Sequence, residues 1–79
     1  MAGLVTLNTL PVGSFALVAK ISAEGMTRRR LLDLGLVPGT RVEVVRRSPL
    51  GDPIAYNIRG ALIALRKEES SQVMVVNSK

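Results

Sequence analysis

The sequence contains no cysteine and no histidine, and its aromatic side chains are limited to Phe15 and Tyr56. Without thiols and imidazoles, the chain can form neither disulfides nor the cysteine and histidine clusters that hold structural zinc. It also lacks a histidine base, a cysteine nucleophile and a Gly-rich loop of the kind that cradles phosphates. Of the carboxylates only Glu68 and Glu69 are adjacent, and neighbouring side chains on a helical turn diverge. We therefore expect no catalytic residue, no metal site and no cofactor.

No apolar run is long enough to span a membrane. Residues 12–21 are one such apolar run, and Gly13, Ser14 and Lys20 interrupt it. A membrane-spanning helix needs about 20 consecutive, predominantly apolar residues. The N-terminal segment also lacks the basic start and unbroken apolar stretch of a secretion signal. We expect a cytoplasmic protein.

Eleven basic and six acidic residues give the chain a formal net charge of +5. This charge favours acidic partners, which include nucleic acid, a membrane surface and an acidic protein face. Proteins that bind single-stranded nucleic acid usually stack the bases on aromatic side chains. Domains that bind proline-rich peptides also line their grooves with aromatic side chains. Two aromatic residues disfavour both classes. A basic small barrel that binds nucleic acid nevertheless stays the alternative interpretation, because the charge favours it.

Short strands separated by turn-forming residues dominate the pattern. The first strand lies within residues 14–22, and its alternation predicts that Phe15, Leu17, Ala19 and Ile21 face the core. The later predicted strands contain Val42 and Val44; Ile54, Tyr56 and Ile58; residues 61–65, buried on both faces; and residues 73–76. Residues 66–72 predict one helical turn, residues 1–13 a cap or turn, and residues 77–79 a frayed tail.

One segment between the first two strands is predicted to be helical. Thr27 can act as an N-cap, residues 28–34 contain neither Gly nor Pro, and Gly35 occupies the position of a left-handed C-terminal cap. Pro38 and Gly39 then form a turn into the second strand. Short strands with one helix predict a mainly β fold, a small SH3-like barrel of about five strands. We expect a single domain over residues 1–79, with an ordered core at about 4–76.

The central part of the sequence resembles the FeoA domain family. The motif consists of Arg30, Leu31, Leu32, Asp33, Leu34, Gly35, Leu36, Val37, Pro38 and Gly39, then Val42 and Val44, then Pro49, Leu50, Gly51, Asp52 and Pro53. The resemblance extends outward through Leu10, Gly13 and Ile21, and through Leu62, Leu65, Arg66 and residues 73–76. It thus covers nearly the whole chain.

The resemblance implies an SH3-like barrel that serves bacterial ferrous iron uptake. The expected partner is the membrane permease FeoB, whose cytoplasmic part is a GTP-binding domain, and the protein would reach the membrane only through it. Related domains are fused to iron-dependent repressors. Because 79 residues leave no room for a winged helix, we expect a free-standing accessory protein.

Arg28, Arg29 and Arg30 are the first candidate docking residues. They open the predicted helix, where the helix dipole disfavours each cation by roughly 0.3–1 kcal/mol. Two interpretations stay open: a solvated face that pairs weakly with Asp33, or a patch that docks on an acidic surface.

Leu50 and Asp52 are the second candidates. Leu50 lies at the centre of a predicted turn, where it either fills an apolar pocket of the partner or folds back on the barrel. For the structural motif residues Leu31, Leu34, Gly35, Pro38 and Gly39, we expect roles in the core and the backbone.

Overall fold

The computed structural model describes residues 3–78 of the chain. Its strands are β1 (Val5–Thr6), β2 (Phe15–Ile21), β3 (Arg41–Arg47), β4 (Ile54–Ile58), β5 (Ala61–Leu65) and β6 (Val73–Ser78). A 3-10 helix covers Leu7–Thr9, and the α-helices are α1 (Gly25–Asp33) and α2 (Lys67–Ser70). The predicted mainly β fold is confirmed, with the two-residue β1 as an additional strand. Within residues 3–78, no helix has the length and apolar character needed to cross a membrane.

All strand pairs are antiparallel, and the sheet order is β1-β6-β2-β3-β4-β5. The sheet wraps around one apolar core to which every strand from β2 to β6 contributes. The core side chains include Ala16, Val18, Ile21, Leu31, Leu36, Val42, Val44, Ile54, Tyr56, Ile58, Leu65, Val73 and Val75. As predicted, the alternating residues of β3 and β4 face this core.

The predicted inner face of β2 is wrong for most of the strand. Ala16 and Val18 are buried, whereas Leu17 is exposed and Phe15 is half-buried. The pairing with β6 shifts register between Val18 and Lys20, and such a β-bulge adds a residue to one strand. The bulge changes the phase of the alternation, which places Ile21 back on the inner face with Val18. A prediction that assumes a regular period of two therefore assigns the wrong residues of β2 to the core.

The prediction that β5 is buried on both faces is also wrong. Leu65 is buried and Ile63 half-buried, but Ala61, Leu62 and Ala64 are exposed. The sheet order explains the difference, since β5 pairs with β4 on one side and forms the end of the sheet on the other. Its outer face is apolar without being covered.

Helix α1 begins earlier than the sequence predicted. Its N-cap is Glu24 rather than Thr27, and no side chain caps the first turn. At its C-terminus the N–H groups of Gly35 and Leu36 donate to the carbonyls of Leu32 (2.9 Å) and Leu31 (3.2 Å). These bonds form a Schellman motif, and Gly35 has the positive φ of 102° that this motif requires.

The C-terminal strand is longer than predicted. Asn77 and Ser78 pair with Ala16 and Phe15 of β2, so the expected frayed tail is wrong for these two residues. Lys79, the last residue of the predicted tail, lies outside the described residues. Helix α2 confirms the helical turn predicted between the last two strands.

Candidate docking surface

Helix α2 connects two parts of the molecule that contain candidate docking residues. Arg30 of α1 forms an ion pair with Glu69 of α2. The Asp52 carboxylate, in the loop between β3 and β4, accepts a hydrogen bond of 2.7 Å from the backbone N–H of Lys67. Arg66 lies 3.9 Å from the other oxygen of Asp52. We call the surface formed by residues 26–30, the 48–53 loop and α2 the α2 surface.

The arginines of α1 do not lie at the start of the helix. Because α1 begins at Gly25, Arg28 and Arg29 lie in its middle and Arg30 in its last turn, where the helix dipole favours a cation. The electrostatic cost expected from the sequence therefore does not arise. All three side chains are nevertheless exposed, so their charge is available to a partner.

The structural contacts of the three arginines differ. Glu69 neutralises Arg30, whereas Arg29 lies 3.9 Å from Asp33, which is itself exposed. The Arg28 guanidinium donates a long hydrogen bond of 3.4 Å to the carbonyl of Ile21. Arg28 and Arg29 are therefore the arginines that a partner could engage at little cost to the fold.

Two apolar side chains project from the α2 surface into solvent. Leu50 is 93% exposed at the tip of the 48–53 loop, which shows that it does not fold back on the barrel. Met26 is 89% exposed in the first turn of α1. Met26 is not among the predicted candidates, because the predicted helix starts at Thr27 and the observed one at Gly25. Met26 precedes the buried Leu31 by five positions, about 140° around a helix of roughly 100° per residue, so it must face outward once α1 starts at Gly25.

Two shallow grooves flank α2. The first, of about 440 Å³, is lined by Thr27, Arg66, Glu68, Glu69 and Gln72. The second, of about 360 Å³, is lined by Asn8, Arg47, Leu50, Gly51, Asp52, Ile54 and Lys67. Leu50 lines the second groove, whereas Met26 lies outside the first, one residue before Thr27 and one helical turn before Arg30.

A buried polar side chain lies in the core beside this end of the barrel. Tyr56 is fully buried, and its hydroxyl lies near the Ser70 hydroxyl without a well-formed hydrogen bond to any described residue. Burial raises the pKa of Tyr56, while the Ser70 hydroxyl and the charge of Arg47 oppose that shift. Tyr56 is therefore a neutral core residue rather than a reactive group.

The structural motif residues hold α1 against the barrel. Leu31 is buried, Leu34 packs on the core, and Gly35 ends the helix. Pro38 and Gly39 form the turn into β3, where the Gly39 N–H donates to the Val18 carbonyl at 2.8 Å. None of these residues belongs to the α2 surface.

The described part of the chain offers no clustered metal ligands. No three His, Cys, Asp or Glu side chains come together within residues 3–78. Glu69 is bound to Arg30 and to the N–H of Arg66 (3.0 Å), and Asp52 to the N–H of Lys67. These carboxylates are thus used by the fold. The donor set does not fit a resident transition-metal ion, which prefers grouped imidazole, thiolate or carboxylate ligands.

Neither aromatic side chain is free to stack on a nucleic-acid base. Tyr56 is buried, and the Arg41 guanidinium lies over the ring of Phe15 at 4.3 Å from its centroid. Phe15 is itself half-buried on the outer face of β2. Base stacking is the usual source of affinity for single strands, and on Phe15 it would have to displace Arg41.

Comparison with known proteins identifies relatives for nearly the whole described chain. The FeoA domain family matches residues 5–77. The Fe(2+) transport protein A/Fe(2+) transporter FeoB fusion protein of Porphyromonas gingivalis (strain ATCC BAA-308 / W83) is 33% identical over 69 residues. This match covers 87% of the chain but only 8% of the fusion protein.

Solved structures show the same fold. The solution structure of the FeoA protein of Chlorobium tepidum is similar with a TM-score of 0.88 and 41% identity, covering 95% of this chain and 71% of that one. The FeoA of Stenotrophomonas maltophilia, a prokaryotic SH3 domain protein crystallised with zinc, gives a TM-score of 0.81 and 33% identity, covering 90% and 88%. The predicted SH3-like architecture is confirmed.

Proposed function

The chain belongs to the FeoA domain family, and from this membership we propose that it is a non-catalytic accessory protein of bacterial ferrous iron uptake. Its partner is the permease FeoB, on whose cytoplasmic GTP-binding domain it docks and whose activity it modulates. The α2 surface makes the contact. The protein itself is cytoplasmic and reaches the membrane through this partner.

The fusion protein of P. gingivalis is the observation that carries the proposal. It contains a relative of this chain within 8% of its length and is named as a fusion to the transporter FeoB. Joining two modules in one polypeptide raises the effective concentration of each at the other, which is useful when the separate modules work together. A separate chain must achieve the same association through its surface.

The α2 surface has the composition of a docking site. Interfaces derive most of their affinity from a few apolar or aromatic anchors, surrounded by a polar rim that directs association. Met26 and Leu50 supply anchors that the core does not use, and Arg28 and Arg29 supply positive charge beside them. The complementary face on the partner is acidic and offers two apolar pockets.

Complementation of a strain that lacks the protein tests this function. We expect the wild-type chain to restore uptake of radiolabelled ferrous iron and to co-purify with the permease. A variant with Met26→Asp and Leu50→Asp should do neither, although it folds, because both side chains are exposed. Leu17→Asp is the control outside the α2 surface, since Leu17 is 40% exposed on the outer face of β2. Full uptake in the double variant, or equal loss in the control, would overturn the assignment of the surface.

The nucleic-acid alternative rests on the net charge of +5. Its affinity would fall steeply as salt increases, because basic side chains would displace counterions from the phosphates. We expect only weak binding to duplex DNA at physiological salt, in a fluorescence anisotropy titration. Tight binding there, together with no effect of the protein on iron uptake, would favour the alternative.

A further inference from the structure

Strand β5 is an unprotected sheet edge. Proteins normally protect such edges with charged residues, proline or bulges, because unpaired backbone groups bind other strands. β5 (Ala61–Leu65) has none of these, and its register with β4 is continuous. At the opposite end of the sheet, β1 has only two residues. β5 is thus the longer of the two edge strands.

The backbone groups that face outward from this edge follow from the turn before it. Arg59 and Gly60 connect β4 to β5, so the flanking pair Ile58 and Ala61 exchanges hydrogen bonds. Because the bonds of an antiparallel pair alternate, Ile63 and Leu65 also bond to β4, while the N–H and C=O groups of Leu62 and Ala64 point to the open edge. No backbone bond links residues 61–65 to any described residue outside β4.

We propose that β5 binds an extended segment of a partner polypeptide by adding it to the sheet as a strand. The backbone of Leu62 and Ala64 supplies two donors and two acceptors for it. The Leu62 side chain, which is 59% exposed on the outer face, supplies an apolar contact. A segment paired in this way spans about 17 Å, at roughly 3.3 Å per residue.

Charge defines the chemistry of the segment. Arg59 and Arg66 flank β5 at its two ends, and both are exposed. β5 itself contains no charged residue. The complementary segment therefore alternates apolar and uncharged polar side chains in its centre and carries Asp or Glu at both ends.

The same charges exclude a second copy of this chain as the occupant. Full antiparallel overlap of two β5 strands centres on Ile63 and pairs each Leu62 with Ala64 of the other copy. It then brings Arg59 of each copy to the end of β5 at which Arg66 and Lys67 of the other copy lie, just outside the paired strands. Like charges brought together at the ends of a strand pair repel each other. An acidic segment reverses the sign of both contacts.

The inference does not depend on the proposed function, because residues 61–65 lie outside the α2 surface, which β5 meets only at Arg66, and its partner need not be the permease. The probe is a synthetic peptide with blocked ends, in which valine and threonine alternate between two terminal glutamates. An NMR titration should shift the amide signals of Leu62 and Ala64 most, and peptide binding should protect these amides from hydrogen exchange.

Leu62→Pro is the decisive variant. Proline removes the N–H that faces the open edge and leaves the bonds to β4 in place, a position where edge strands tolerate it. We expect affinity for the peptide to fall at least about tenfold, whereas Leu62→Val, which keeps the N–H, should stay within about threefold. Ala64→Pro provides a second test if Leu62→Pro does not fold.

Four results would overturn the proposal. The peptide could shift amides elsewhere, or bind the proline variants as tightly as the wild type. A peptide with terminal lysines could bind as well as the acidic one, which would contradict the charge argument. Finally, β5 amide shifts that depend on protein concentration without peptide would identify a second copy as the occupant.

Discussion

Gly35 combines two requirements at one position. Its φ of 102° is a conformation that side chains with a Cβ rarely adopt. A Cβ built there would also lie 2.8 Å from Cδ of Arg59, because the stem of that side chain crosses the glycine. Gly39 has a similar φ of 92°, but nothing lies within 4 Å of its missing Cβ. A side chain added at Gly39 therefore introduces backbone strain alone, whereas one added at Gly35 also contacts Arg59.

We predict that Gly35→Ala destabilises the fold more than Gly39→Ala does. Both changes introduce backbone strain of roughly 1–3 kcal/mol, and only the first displaces Arg59. Urea denaturation of the two variants measures the difference in the free energy of unfolding. Adding Arg59→Ala to Gly35→Ala should recover that difference. Equal destabilisation would show that Arg59 moves aside without cost.

Tyr56 makes the stability of the folded protein depend on pH in the alkaline range. Burial raises its pKa in the folded protein above the ordinary value of 10.0. Above that value the unfolded chain loses the proton while the folded protein keeps it, so stability falls as the pH rises towards and through the folded pKa. Below the ordinary pKa both states are protonated, and this contribution is fully present.

Tyr56 is the only tyrosine, so its titration can be followed directly. We predict an absorbance titration of tyrosinate with a midpoint above 10.0 in the folded protein and a lower midpoint in urea. Tyr56→Phe should remove the corresponding part of the alkaline loss of unfolding free energy. An unchanged pH dependence in this variant would assign the loss to other groups.

At the scale of the elements, contacts with neighbouring segments stabilise α2, since its length alone does not. Four residues make a single turn, which is too short to be stable alone. Glu69 bonds to the N–H of Arg66 and pairs with Arg30, while Asp52 bonds to the N–H of Lys67. These contacts fix the 48–53 loop and α1 relative to each other, and so shape the α2 surface.

We predict that Asp52→Ala lowers the free energy of unfolding by about 1 kcal/mol, the typical cost of a lost helix cap. Asp52→Asn keeps an oxygen acceptor for the Lys67 N–H and should cost less. Thermal denaturation compares the two variants. Equal losses would mean that the charge of Asp52, through Arg66, matters more than the hydrogen bond.

Sequence patterns predicted the elements that depend on local signals. Gly35, the turn at Pro38 and Gly39, and the alternation of β3 and β4 each follow from residue type and spacing. The inner face of β2 does not, because the bulge between Val18 and Lys20 arises from pairing with β6. Likewise, an apolar run such as β5 does not reveal whether a neighbouring strand covers it.

Among the candidate docking residues, too, local sequence signals predict some features, and others depend on the tertiary structure. The turn-forming residues around Leu50 predicted its place in a loop but left open whether it folds back on the barrel, and the structure shows that it is exposed. Arg30 is paired, while Arg28 and Arg29 carry no strong ion pair. This difference depends on the position of α2, which no local pattern specifies. Met26 was missed because the start of α1 has no side-chain cap to mark it.

At the scale of the whole molecule, a net charge of +5 should speed association with an acidic partner. We predict that Arg28→Glu with Arg29→Glu slows association with the permease domain roughly tenfold at low salt and changes dissociation little. Lys20→Glu with Arg46→Glu makes the same charge change at exposed sites outside the α2 surface. Surface plasmon resonance measures both variants, and equal slowing would show that net charge alone directs association.

The most direct test of the docking account is a calorimetric titration of the purified chain with the cytoplasmic GTP-binding domain of the permease. The wild-type chain should bind in a one-to-one complex. Met26→Asp with Leu50→Asp should weaken binding at least about a hundredfold, because each replaces an apolar anchor worth roughly 2 kcal/mol. Leu17→Asp should stay within about threefold. Absence of binding by the wild-type chain, or unchanged affinity of the double variant, would contradict the account.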